Sequence, residues 1–137
     1  MSHISKIELV INDLQCLKSA CGRLNLEFRE NQKTYRWYGK WASSEPIPQG
    51  LTPGQCDHAI YVPNASYEVG IIRQDEKSYT LHADMWHGGG LEPIIGKDAG
   101  LLKQAYAIER VYKESRQKRM RIQEVPTESG VRLTLTL

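Results

Sequence analysis

The sequence has few of the features that mark secreted, membrane-spanning or strongly polyanion-binding proteins. Its 137 residues include three cysteines, and this odd, low number argues against a disulfide framework and favours a reducing compartment. No apolar run approaches the roughly 18 residues of a membrane span, and residues 1–6 lack the features of a secretion signal. The formal net charge is only +2, so composition does not demand a polyanionic partner. We expect a cytoplasmic protein without a membrane partner.

The remaining composition is that of an ordinary globular chain. Apolar residues make up 40% and charged residues 25%, which argues against disorder. A chain of this length buries roughly two-thirds of its unfolded surface, enough for one hydrophobic core. We therefore predict a single domain over residues 1–137.

Hydrophobic periodicity predicts strands interrupted by two helices. Alternation over residues 7–11 indicates a strand, and Asn12 and Asp13 then offer a cap for a short helix. Further strands are predicted at residues 26–28, 35–41, 56–62, 67–73, 78–87, 122–125 and 131–137. In the strand over 78–87, alternate residues share a face, and one face carries Thr80, His82, Asp84 and Trp86.

The second and longer helix is predicted to begin near Asp98, after a flexible glycine stretch at residues 88–90. Its expected buried stripe is Leu101, Ala105, Ile108 and Tyr112. Because most strands follow one another through short turns, we predict an α+β fold with one mainly antiparallel sheet. The two helices are expected on one face of it.

Several short motifs resemble a known family. They are the opening residues 1–3, the pair Asp13–Leu14, the run Tyr-Glu-Val-Gly-Ile from Tyr67, the run Tyr-Thr-Leu-His-Ala-Asp-Met-Trp from Tyr79, and Gln-Ala-Tyr-Ala from Gln104. Together they resemble the plastid family called hypothetical chloroplast reading frame thirty-five, a family of unknown function from cyanobacteria, plastids and phages.

The resemblance covers most of the chain and is weakest in the proline-rich residues 42–55. Where that family reads Ala-Asp-Trp-Trp, this chain has Met85 before its last tryptophan. The resemblance implies a protein of the cytoplasm or the plastid stroma, or of the host cytoplasm if a phage encodes it. It implies no reaction, so no catalytic residue is carried over.

One combination of residues has the chemistry of a metal site. Cys56 and His58 share a face of one predicted strand, and His82 and Asp84 share a face of another, so zinc becomes a candidate if those faces meet. The spacing matches no standard zinc signature. The alternative is a buried cysteine with hydrogen-bonded histidines, and we predict no metal and no cofactor.

A basic segment is a candidate contact surface. Residues 109–121 contain six cations and two anions, and the candidate contact residues are Arg116, Lys118 and Arg119. The alternative is that cations simply favour a helix carboxyl end. Continuing the helical period would place Arg119 on the buried stripe, so the helix must project into solvent or end early.

An aromatic segment is the second candidate surface. On a strand over residues 35–41, the tyrosine and tryptophans at 35, 37 and 41 face one way, while Arg36, Tyr38 and Lys40 face the other. The first set is expected in the core and the second on the surface. The proline-rich residues 42–55 follow, and they are either a contact loop or a long tethered connection.

These surfaces favour an interaction module over an enzyme. We predict a small non-catalytic accessory or adaptor protein that binds another protein through Arg36, Tyr38, Lys40, Arg116, Lys118 and Arg119. The alternative is nucleic-acid binding by the same cations, with Tyr38 stacking on bases. A metal-dependent enzyme is a third possibility. If the first or last strand lies at a sheet edge, it offers a route to a homo-oligomer.

Overall fold

A five-stranded antiparallel sheet forms the centre of the molecule. The computed structural model describes residues 4–42 and 44–137. The sheet order is β1-β5-β4-β3-β2. The strands are β1 (Ile4–Ile11), β2 (Glu27–Arg29), β3 (His58–Tyr61), β4 (Val69–Arg73) and β5 (Tyr79–Asp84). Strand β1 lies at one edge.

The fold also contains two main helices and one short helix. Helix α1 spans Leu14–Arg23, α2 spans only Glu92–Ile95, and α3 spans Gly100–Gln117. The predicted cap of α1 is confirmed, because the Asp13 side chain accepts a 3.0 Å hydrogen bond from the Cys16 amide. The α+β class, with the longer helix near the carboxyl end, is likewise confirmed.

The helices α1 and α3 cover one face of the sheet, which we call the helix face. Its core joins Leu17 and Leu102 to Val69, Ile71 and Leu81, all fully buried. The predicted stripe of α3 was wrong at its first residue. Leu101 is 45% exposed, and Leu102 is buried in its place, because the series 102, 105 and 106 is the one that meets the sheet.

Helix α3 ends at Gln117, before Arg119. This is one of the two predicted outcomes, the other being a helix end that projects into solvent. The Met120 amide bonds to the Ser115 carbonyl at 2.8 Å and the Arg119 amide bonds to the Arg116 carbonyl at 3.3 Å. This pattern is a Schellman motif, and its left-handed position is occupied by Arg119 with a φ of 56°. The turn takes Arg119 off the buried stripe, so its side chain stays exposed.

Residues 35–56 cover the opposite face of the sheet, which we call the loop face. A second core forms there from Ile4, Tyr35 and Ala59, with Trp41 and Leu51 packed against it. The described residues therefore form three layers: the helices, the sheet, and a long loop whose described residues belong to no helix or strand.

The carboxyl-terminal hairpin forms a separate two-stranded sheet. Its strands are β6 (Arg121–Thr127) and β7 (Gly130–Thr136). Glu124 attaches it to the helix layer, accepting hydrogen bonds from Arg23 at 2.8 Å and from the Tyr112 hydroxyl at 3.0 Å. Because the sheet has two strands, β7 pairs on one side only.

The predicted flexible glycine stretch was wrong. Residues His87–Gly89 form a short 3₁₀ turn, and the Ser66 and Tyr67 amides both donate to the Gly89 carbonyl. A Cβ at Gly89 would lie 2.0 Å from the Tyr67 ring. Glycine is used here because the turn packs directly against an aromatic ring.

Candidate functional site

The aromatic segment over residues 35–41 is ordered without being a strand. Its nearest sheet-like contact is a single bridge between Thr34 and Gln55, so the predicted strand was wrong. The predicted alternation nevertheless holds. Tyr35 is only 3% exposed and packs over Gly70, where a Cβ would meet its ring at 2.4 Å. Burial raises the pKa of Tyr35 to about 12.

Two buried carboxylates hold this segment in place. Glu68 is 3% exposed and accepts a 2.9 Å hydrogen bond from the Arg36 amide. Asp84 is fully buried, and its two oxygens accept from the Tyr38 amide at 3.3 Å and the Trp86 amide at 3.1 Å. These backbone groups would otherwise pair within a strand, so the carboxylates replace a missing ladder.

The surface above these carboxylates carries aromatic and cationic side chains. Tyr38 is 48% exposed and Trp86 is 36% exposed, and their rings meet edge to face with centroids 5.7 Å apart. The Arg36 guanidinium lies 3.5 Å from Glu68 and reaches over the Tyr61 ring. Lys40 is exposed. We call the set Arg36, Tyr38, Lys40 and Trp86 the aromatic surface.

The basic end of α3 lies elsewhere. Arg116, Lys118 and Arg119 are all exposed, and Lys118 pairs with Glu114 one turn earlier at 2.8 Å. Helix α3 packs on the helix face, whereas residues 35–41 pack on the loop face. The two sets of predicted partner residues are therefore separated by the sheet, and the structure does not bring them together.

The four candidate metal ligands do not converge. Strand register pairs His58 with Ile71 on the helix face, whereas His82 pairs with Gly70 and lies with Asp84 on the loop face. The Cys56 thiol donates to the Gln32 carbonyl at 3.2 Å, and burial raises its pKa to about 11. Within residues 4–42 and 44–137, no group of three or more metal-ligating side chains could hold an ion.

The two buried histidines have different surroundings. Nδ1 of His58 accepts a 2.9 Å hydrogen bond from the Asn31 amide, which fits the alternative interpretation of hydrogen-bonded histidines. Nδ1 of His82 has no hydrogen-bond partner among the described residues. Burial is the main cause that lowers the pKa of both rings, and Lys6 lowers that of His82 further. In both rings, burial therefore favours the neutral form.

Sequence reasoning missed Trp86 as part of the aromatic surface and Glu68 as a buried carboxylate beneath it. The alternation of β5 had already placed Trp86 on the same face as Asp84, and this signal was sufficient to associate it with that face. Glu68 had no comparable signal. Glu68 is buried where residues 35–41 fold back over it, and it accepts a hydrogen bond from the Arg36 amide, 32 positions away in the sequence.

Comparisons with known proteins add no relative. The sequence matches no family model, no curated protein and no solved structure. The family resemblance thus stays a prediction from the motifs. Among the described helices, none combines the length and the apolar character needed to cross a membrane.

Proposed function

We propose that this protein is a small non-catalytic adaptor that binds another protein through the aromatic surface. The observation that supports this proposal is the use of two buried carboxylates, Glu68 and Asp84, to hold the amides beneath that surface. Burying a carboxylate is costly unless it is fully hydrogen-bonded. Here hydrogen bonds from backbone amides offset that cost, and they fix an irregular segment that exposes Arg36 and Tyr38.

Fixing the backbone lowers the entropy that binding must remove. Side chains already held in one arrangement bind more tightly than mobile ones that make the same contacts. Tyrosine, tryptophan and arginine are also the residue types most often found as energetic anchors of protein interfaces. Arg36 and Lys40 are exposed cations of this surface, so an acidic partner surface would complement it.

The proposal is confined to the aromatic surface. Arg116, Lys118 and Arg119 lie beyond the sheet, so one flat partner surface cannot touch both sets. The basic helix end therefore supplies control variants for the test.

The experiment compares exposed residues that are matched in exposed fraction or in charge. Tyr38→Ala is paired with Leu101→Ala, because these residues are 48% and 45% exposed and only Tyr38 belongs to the aromatic surface. Lys40→Glu is paired with Arg116→Glu, because both reverse one exposed cation. Each variant is used to capture proteins from nuclease-treated host lysate, and the affinity for the purified partner is then measured.

We expect Tyr38→Ala to weaken the partner about tenfold or more, as truncation of an anchor does. Lys40→Glu should weaken it less, and both control variants should bind as the wild type does. Equal loss in Tyr38→Ala and Leu101→Ala would refute the proposal. Binding that vanishes after nuclease treatment and falls steeply with salt would instead support the nucleic-acid alternative.

A further inference from the structure

A cleft of about 530 Å³ lies between the long loop and the loop face of the sheet. Its floor is formed by side chains of β1, β4 and β5, including Lys6, Ile72, Thr80 and His82. None of these residues belongs to the aromatic surface. We call this space the loop cleft, and its volume lies in the range of small-molecule sites.

Two polar atoms of the floor are buried and lack partners. Thr80 is 5% exposed and His82 is 6% exposed. Oγ1 of Thr80 and Nδ1 of His82 make no hydrogen bond with any described part of the chain. Most buried polar atoms of folded proteins are paired. Three side-chain atoms of the described residues are buried without a partner, and two of the three, on Thr80 and His82, belong to residues of one strand that line this cleft.

The wall opposite the floor is largely apolar. It is contributed by the loop, with Trp41, Pro46, Pro48 and Leu51 among its residues. An apolar wall facing a floor with a few polar groups is the usual composition of a pocket for a small organic molecule. The Trp41 indole and the two proline rings of this wall favour a flat aromatic occupant, because such a ring packs against other rings over a large area.

Lys6 gives the floor a positive charge. Lys6 lies opposite His82 in the register of strands β1 and β5. Its side chain makes no salt bridge with the described residues. Arg73 also lines the cleft, but its guanidinium is bonded to the Tyr79 hydroxyl and to two backbone carbonyls. Glu45 supplies the one lining carboxylate and comes from the loop.

We propose that the loop cleft binds a planar aromatic anion. Its ring lies between the loop and the sheet, its polar atoms pair with Thr80 and His82, and its negative charge faces Lys6. A neutral imidazole has one donor and one acceptor nitrogen, so His82 is able to serve either kind of ligand group. This binding is independent of the protein partner proposed above.

The probes for the test are 2-naphthoate and its neutral analogue 2-naphthamide, which have the same ring system. Binding to the wild-type protein is followed by nuclear magnetic resonance, with the backbone amides, the Trp41 indole and the imidazole nitrogens of His82 labelled. We expect saturable binding of 2-naphthoate at millimolar or lower concentration, with the largest shifts at Thr80, His82 and Trp41. The amide should bind at least fivefold more weakly.

Two variants separate the contributions of charge and hydrogen bonding. Lys6→Met should remove the preference for 2-naphthoate, and Thr80→Val should weaken binding of the carboxylate by about two- to tenfold. Arg116→Met, at the far end of α3, should change neither value.

Three outcomes would overturn the proposal. They are no shift in the wild type at millimolar probe, largest shifts away from the loop cleft, and equal binding of the two probes. All three are measured on the wild-type protein, so the test does not depend on whether a variant folds.

Discussion

Replacing Thr80 with valine should stabilise the protein. The hydroxyl of Thr80 is buried and has no partner within the described chain, and burying an unpaired hydroxyl costs about 1–3 kcal/mol in proteins. Valine has nearly the same shape and replaces the hydroxyl with a methyl group. We therefore expect the free energy of unfolding to rise by about 1–3 kcal/mol. For a chain of this length, each kcal/mol should raise Tm by about 3–5 °C.

The assay is guanidinium denaturation followed by tryptophan fluorescence and circular dichroism. The midpoint should rise while the slope with denaturant stays constant, since the surface exposed on unfolding is unchanged. Thr134→Val is the control, because Thr134 is an exposed strand residue, and it should stay within about 0.5 kcal/mol of the wild type. Unchanged or lower stability in Thr80→Val would refute the reasoning, because it would mean that ordered water already satisfies the hydroxyl.

Three further perturbations test the packing, the helix end and the buried histidine. Gly70→Ala should lower the free energy of unfolding by about 1–3 kcal/mol, because its methyl group would overlap the Tyr35 ring. Gly22→Ala has open space at its Cβ and should raise the free energy of unfolding by up to about 1 kcal/mol. Calorimetry measures both changes. Arg119→Gly should raise the melting temperature, since its left-handed φ of 56° costs a non-glycine residue about 1 kcal/mol. The pKa of His82 is lowered in the folded protein, so the unfolded chain binds more protons on acidification and stability falls as pH drops through about 6.5. In His82→Leu the slope of unfolding free energy between pH 7.5 and 5.5 should be shallower, and an unchanged slope would contradict this.

Local patterns in the sequence predicted which side chains share a face. The alternation of β5 correctly grouped Thr80, His82 and Asp84, because a strand repeats every two residues whatever surrounds it. The same rule predicted the exposure of Arg36 and Tyr38, although their segment is not a strand. The inward packing of residues 35 and 37 against the sheet produces the same alternation without ladder hydrogen bonds.

Contacts between distant segments could not be predicted in the same way. Whether His58 and His82 share a face depends on the register of two strand pairs, and a shift of one residue would reverse the answer. The phase of α3 was ambiguous for a similar reason, since both Leu101 and Leu102 begin an acceptable apolar stripe. Only the position of the sheet decides which of the two leucines is buried.

Four buried polar side chains near the loop face fall into two kinds, those whose polar atoms are paired within the chain and those whose polar atoms are not. Glu68 and Asp84 receive backbone amides from the chain itself, so their burial is explained by the segments that they hold. Oγ1 of Thr80 and Nδ1 of His82 have no hydrogen-bond partner among the described residues, and both residues border the loop cleft. A third buried atom without a partner in the described chain, the Tyr35 hydroxyl, belongs to a residue outside the cleft lining. The ligand proposed for the loop cleft would complete the hydrogen bonds of Thr80 and His82 and would leave that hydroxyl unchanged.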